Sequence, residues 1–314
     1  MRAVGNDIVE LFGYSADDLS EKAISTFKTN RCPFTNTQCS KTNHDNSLIY
    51  GTCSVTANSM TSMREEVIIC PKRLYADNYQ IFRDVIAKVW GEIPLVVGGN
   101  LIKLQQRASK FNECVIAFGQ NSGKEITVNS NGKLSMDWVL QRYTHSEFML
   151  TAQDYVGIEI QSIDTTGNYR ETFAAYSALK EGFQVNQIPN AGHGLNWANV
   201  HKRLIPQIIR KGNIYSQADR CLGFFFILPE QVYKKFDEVL GNVEVQSNFN
   251  KHTLSILTYA LGNEQGCGSV RPIHQTMTKN HLLEDIALAF TKNTDPKAPI
   301  NLDLALKNII YSQA

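Results

Sequence analysis

Excess charge is what this 314-residue chain most lacks: 31 Lys+Arg stand against 30 Asp+Glu, a formal net charge of +1. That balance excludes a histone-like or polybasic binder, which holds nucleic acid through surplus positive charge. It does not exclude a nuclease, because a local basic groove can stand beside an acidic metal site. Long apolar runs are also missing. The longest, CLGFFFILP at Cys221–Pro229, is well short of the roughly 20 residues a membrane-spanning helix needs. The first residues carry acids from Asp7 onward and no apolar core, so neither a membrane nor a secretory signal is expected, and the seven cysteines should meet a reducing compartment.

Several motifs are absent too. There is no CxxC pair, which argues against a thioredoxin-like redox role. No H-x-E is followed by P-C-x-x-C, which disfavours a zinc deaminase. The Gly98-Gly99 pair lacks phosphate-loop spacing and reads as a turn. There is no internal repeat and no low-complexity tract. What remains is an ordinary globular composition, 43% apolar and 19% charged, long enough for one large domain or two.

Periodicity predicts a helix over the first 30 residues, capped by Ser15 or Asp17, and a loop-rich module over 31–75 with short β-prone runs. Helices follow over 79–90, before Gly91, and 101–111. From residue 113 the pattern changes to strands at 114–119, 125–129, 133–140 and 155–163, with a turn at Asn131-Gly132. Helices are then expected over 168–179 and 197–211, the second kinked at Pro206. The wholly apolar Leu222–Leu228 reads as the centre of a buried sheet. A helix over 230–240, strands near 243–245 and 254–261, and helices over 281–291 and 302–311 complete the chain. The fold class is mixed α/β (α+β), divided at residue 113: 1–112 as an N-terminal helix and cysteine module with flanking helices, 113–314 as the main body.

Two groups of residues carry chemistry. Cys32, Cys39, Cys53 and Cys70 have 6, 13 and 16 residues between them. Four thiolates can close a tetrahedral shell around zinc or iron, and binding would staple a segment poor in large apolar residues. His44 is an alternative to one thiol; scattered free cysteines are the plainer reading. Cys114 and Cys221 read as packing residues. The second group lies in SMDWVL and YVGIEIQSID. Glu159 and Gln161 are two apart on a strand and share a face, while Ile158 and Ile160 point to the other. Asp137 sits between Met136 and Trp138 in a neighbouring strand, and a hairpin could bring it near Glu159. Charges in apolar strands are costly unless paired or bound to metal. Two such acids suit Mg²⁺, which can activate a water at a scissile phosphate. This is the layout of a PD-(D/E)xK site with Gln161 where lysine is usual; solvated strand positions are the plainer reading of the same acids.

In order along the chain, RCPF with Cys39 after it, GTCSV, VIICPKRLY, SMDWVL, GIEIQSIDTTGNY, NWANVHKR and DRCLGFFFILPEQVYKKF resemble the NotI/EagI-like group of type II restriction endonucleases. The similarity covers roughly residues 30–240, with a weaker part at LFGY, and leaves the last stretch of chain unmatched. The resemblance implies a PD-(D/E)xK core, a mixed sheet flanked by helices, with a small N-terminal four-cysteine module. It places the active-site acids on Asp137 and Glu159, the family's glutamine on Gln161, and a structural iron (or zinc) on Cys32, Cys39, Cys53 and Cys70. It implies Mg²⁺-dependent hydrolysis of double-stranded DNA at a GC-rich palindrome, with a CGGCCG core in the two best-known cases. It also implies a homodimer, a bacterial cytoplasmic setting and a cognate methyltransferase acting on the same site.

A palindrome calls for two-fold symmetry, one half-site per subunit. Arg203, Gln207 and Arg210 are spaced for one helix face, opposite Leu204, Ile205, Ile208 and Ile209. Arg170, Lys202 and Arg203 are the expected DNA neighbours, with Arg73 reaching DNA if the cysteine module braces a recognition loop; a solvated helix face is the plainer reading of these residues. The competing functions are a PD-(D/E)xK nuclease of relaxed specificity and a non-enzymatic, metal-stabilised DNA-binding protein.

Overall fold

A computed structural model of the chain describes residues 5–43, 45–58, 64–129, 132–146, 149–199, 202, 204–292 and 300–305. Two short strands, β1 (Ile8–Leu11) and β2 (Tyr14–Ser15), open the fold. They are followed by α1 (Glu21–Thr29), then β3 (Thr52–Asn58) and β4 (Arg64–Ile68), and a 3-10 turn at Pro71–Tyr75. Next come α2 (Ala76–Trp90), β5 (Leu95–Val96), α3 (Leu101–Ala108), β6 (Glu113–Gly119), and the hairpin β7 (Ile126–Asn129) and β8 (Lys133–Met136). The central part is β9 (Trp138–Ser146), β10 (Met149–Ile160), β11 (Thr165–Asn168), α4 (Arg170–Lys180), β12 (Gly192–Leu195), α5 (Trp197–Asn199) and α6 (Ile205–Gln217). The chain continues as β13 (Cys221–Pro229), α7 (Glu230–Leu240), β14 (Thr253–Leu261), β15 (Ile273–Leu282) and α8 (Leu283–Lys292).

Among the described residues, seven strands form one mixed sheet in the order β15-β14-β13-β10-β9-β6-β5. β13 is parallel to both neighbours, while the β9–β10 and β14–β15 pairs are antiparallel. The apolar run in β13 is explained by its place at the centre. Phe224, Phe226 and Leu228 point into a core with α6, α7 and α8, whereas Phe225 and Ile227 point into a second core with α2. A strand covered on both faces has no polar side to present. Each fully buried phenylalanine contributes about 1.5–3 kcal/mol. β10 divides the same way: Val156, Ile158 and Ile160 enter the α2 core, which leaves Gly157 and Glu159 on the α6 face. β5, N-terminal to residue 113, pairs with β6 in this sheet, so the N-terminal segment shares the core.

The approach of α6 to β10 depends on Gly157. A Cβ there would lie 2.2 Å from the ring of Tyr215, a buried residue of α6. Gly157→Ala should therefore destabilise the protein by about 1–3 kcal/mol through overpacking. A melting temperature unchanged from the parent would show that this contact does not set the helix position.

Several expectations are corrected. The first 30 residues are not one helix. Ile8–Leu11 form a strand between β2 and β3, the second of which lies far along the chain, and the helix starts only at Glu21 with Ser20 as its cap. Local periodicity could not supply that partner. The helix expected over 197–211 is divided into α5 and α6, with Pro206 in the first turn of the second, where its missing N–H costs nothing. The strand expected at 243–245 is not formed. By contrast α7 matches the residues expected for it. His44, Arg203, Asn131, residues 1–4 of the expected first helix and the part of the 302–311 helix beyond 305 lie outside the described residues. No helix among the described residues is long and apolar enough to cross a membrane.

Candidate active site and cysteine module

Asp137 falls at the bend between β8 and β9, flanked by the buried Met136 and Trp138. Trp138 pairs with Ile158 across the β9–β10 hairpin, which sets Asp137 beside the next residue of β10, Glu159. The backbone N–H of Asp137 donates to Glu159 Oε1 at 3.1 Å, and that of Ile160 donates to Asp137 Oδ2 at 3.2 Å. Each acid is thus tied to the other's strand. Trp138 is fixed by donating its Nε1–H to the Tyr75 hydroxyl at 2.9 Å, at the end of the 3-10 turn that follows Cys70.

Sequence reasoning missed the third member. Lys211 of α6 is 5% exposed, and its Nζ donates to Glu159 Oε2 while standing 3.6 Å from Asp137 Oδ1. Its signal was nevertheless present. The buried residues of α6 are Ile205, Ile208, Lys211, Gly212 and Tyr215, so a lysine interrupts an apolar stripe at helical spacing. A lysine is almost never fully buried unless paired.

Glu159 is 7% exposed, and the Asp137 side chain 39%. Burial first, and the neighbouring charge of Asp137 second, push the Glu159 carboxyl up to about 8, against the pull of Lys211. A pair of acids under such mutual repulsion favours added positive charge. Two carboxylates, one of them open to solvent, suit a hard divalent ion that keeps several waters, so the donor set fits Mg²⁺.

Gln161 lies one residue past the end of β10, is exposed, and lines a cleft of about 200 Å³ with Ser162, Ile163, Asp164, Asn199, Leu204 and Gln207. The two carboxylates are not among the lining residues, so the cleft adjoins the acid pair instead of containing it. Glu125 is exposed. Lys202 is exposed between α5 and α6, and Arg170 lines a second, open cleft with Asn43, Asp45, Tyr50 and Asn168.

Arg73 requires a correction. It is fully buried, its Nε and Nη2 donating to the two oxygens of Glu10 at 2.9 and 3.0 Å, and its guanidinium lies over the Phe34 ring. A side chain in that position reaches no DNA. Sequence showed only an arginine after a cysteine; its partner lies 63 residues upstream, in a strand read as helix.

All four cysteines of the module are free; Cys32, Cys53 and Cys70 are buried and Cys39 is half-buried. Each thiol lies within electrostatic reach of two others. Burial raises Cys39, whereas a hydrogen bond from Cys53 foremost, then Lys41 and the backbone N–H groups of Lys72 and Arg73, lower Cys70. N–H groups aimed at sulfur suit thiolate ligands. Among the described residues, however, no group of three or more His, Cys, Asp or Glu side chains is gathered as a metal-holding set. The segment around Cys70 also braces the acid pair. Tyr75 holds Trp138 beside Asp137, and Ser162, next to Gln161, donates to the Ile69 carbonyl at 3.0 Å.

A seven-stranded mixed sheet covered by helices on both faces, with paired acids at the end of a central strand, places the protein in the restriction-endonuclease-like class of nucleases. The chain belongs to the NotI restriction endonuclease family: the family described as Restriction endonuclease NotI matches residues 19–225. It is accordingly a type II site-specific deoxyribonuclease acting on double-stranded DNA. No curated protein matches the chain.

Proposed function

We propose that the enzyme cuts a GC-rich palindrome with a CGGCCG core in a Mg²⁺-dependent hydrolysis centred on Asp137, Glu159 and Gln161, and that it acts as a homodimer. The observation that carries this reading is the convergence of Asp137 and Glu159 on one cation at the end of β10. These two acids would hold the divalent ion, which when bound neutralises phosphate charge and lowers the pKa of water. In the hydrolysis, the water oxygen adds to phosphorus and one P–O ester bond breaks. One water proton finishes on the departing oxygen and the other passes to solvent, leaving a phosphate monoester and a hydroxyl. Gln161 both donates and accepts hydrogen bonds, so it can orient the attacking water without contributing charge.

Family membership supports the palindrome, and a palindrome is read by two subunits related by a two-fold axis. Arg170 and Lys202 are exposed and free to approach phosphates, and Arg203 belongs with them by sequence. Residues 1–112 supply the cysteine module, with iron or zinc on Cys32, Cys39, Cys53 and Cys70, and 113–314 the catalytic and DNA-binding region. A methyltransferase acting on the same sequence would protect host DNA in the bacterial cytoplasm.

Digestion of a sequenced viral genome with Mg²⁺, followed by mapping of the ends, tests the reading. Discrete fragments ending at one palindrome are expected. A smear would indicate relaxed specificity, and no cutting would leave a DNA-binding protein without hydrolysis. Elemental analysis of the same preparation should find one iron or zinc per chain.

A further inference from the structure

The hydrolysis proposed above places two acids and a neutral glutamine around a dianion-forming reaction, and none of the three brings positive charge. Lys211 does. Its ammonium sits against Glu159 Oε2 and 3.6 Å from Asp137 Oδ1, on the oxygens that a divalent ion would use. The placement is built into the fold. Ile205, Ile208, Gly212 and Tyr215 bury the same face of α6, and Gly157 lets that helix press against β10. The packing of that helix face therefore carries Lys211 to the acid pair.

We propose, on the basis of that reading of the acid pair, that Lys211 is the resident cation of this centre: it holds the two carboxylates together before metal binds, competes with the divalent ion for their oxygens, and on displacement supplies its charge beside the scissile phosphate. Its part is electrostatic. The lysine absent from the Gln161 position is thus provided by a helix, through space, from 50 residues further along the chain.

The competition gives opposite signs for two measurements, which a structural role would not. Neutral replacement should strengthen metal binding and weaken catalysis. In Lys211→Met, and in Lys211→Gln, which keeps a donor for Glu159, Ca²⁺ affinity by calorimetry should rise about tenfold or more, because no ammonium contests the same oxygens. Tb³⁺ luminescence sensitised by the adjacent Trp138 should report the same rise. DNA cleavage at saturating Mg²⁺ should fall about 10²-fold, the usual cost of removing one preorganised charge from a reacting centre. Lys211→Arg should retain metal affinity near the parent and part of the cleavage. The proposal is overturned if neither neutral variant binds metal more tightly, or if both cut at the parent rate. Asp137→Asn, measured alongside, separates the two levels: if it cuts normally, the reading of the acid pair fails, whatever Lys211 does.

Discussion

Replacing Glu159 with glutamine is expected to slow DNA cleavage by about 10³-fold while leaving DNA binding intact. The carboxylate is one of two that would hold the divalent ion, and such an ion supplies several kcal/mol of transition-state stabilisation, about a factor of ten for each 1.4 kcal/mol. Glutamine keeps the shape, and its carbonyl can still accept the backbone N–H of Asp137. Like the raised carboxyl of the metal-free protein it is neutral near pH 7, so affinity for a cognate duplex in metal-free buffer should not drop. Single-turnover cleavage and gel-shift titration on one preparation measure both effects. Normal cleavage by Glu159→Gln at saturating Mg²⁺ would falsify the assignment.

The same residue predicts a pH dependence of stability. Burial and Asp137 raise the folded Glu159 carboxyl from 4.5 to about 8. Between those values the folded protein holds a proton that the unfolded chain has released. Stability of the metal-free enzyme should then be greatest below about pH 4.5 as far as this group is concerned, and its contribution should be lost as pH rises through about 8. Glu159→Gln should lack that part of the slope in urea unfolding measured from pH 5 to 9. An identical slope in parent and variant would show that the carboxyl is not held protonated by its surroundings.

Glu159 and Asp137 were legible in the sequence because charged residues in otherwise apolar strands stand out, and because strand alternation puts Glu159 and Gln161 on one face. The apolar Cys221–Pro229 run was legible for a related reason: a strand buried on both faces needs no alternation. Lys211 was not legible as a partner. Its helix could be read, but which sheet edge the helix covers depends on the parallel β10–β13 pairing and on the close approach at Gly157, both long-range facts. Glu10 and Arg73 failed for the same reason. Glu10 lies in IVEL, too short to reveal its period without the β3 strand beside it. The cysteine spacing, lacking any CxxC knuckle, showed a possible cluster but not its connection to the acid pair, which passes through Tyr75 and Trp138.

Glu10→Ala should destabilise the fold by about 3–5 kcal/mol, the cost of leaving a buried charge without its partner. Glu10 and Arg73 are both fully buried. Glu10 Oε2 accepts from Arg73 Nε at 2.9 Å and from the Ser54 hydroxyl at 2.8 Å, and Arg73 Nη2 also donates to the Arg271 carbonyl at 2.6 Å. This bidentate pair joins β1 to the turn after Cys70 and to the chain just before β15. With its acid removed, the guanidinium keeps the Arg271 carbonyl and the Phe34 ring, neither of which carries a compensating charge. Domains of ordinary stability have about 5–15 kcal/mol in total, so the loss would be visible as a large shift in urea midpoint. The desolvation argument makes a second, sharper statement. Glu10→Leu combined with Arg73→Met removes both charges and should be less destabilised than either single replacement, since no ion is then stranded. Costs that simply add in the double variant would mean that the two residues act independently and that packing, not charge pairing, sets their contribution. The turn that Arg73 anchors also carries Tyr75, which fixes Trp138 next to Asp137. Glu10→Ala at a temperature where it remains folded should therefore also lower cleavage, although Glu10 lies in a different sheet from the acids that are proposed to act on DNA.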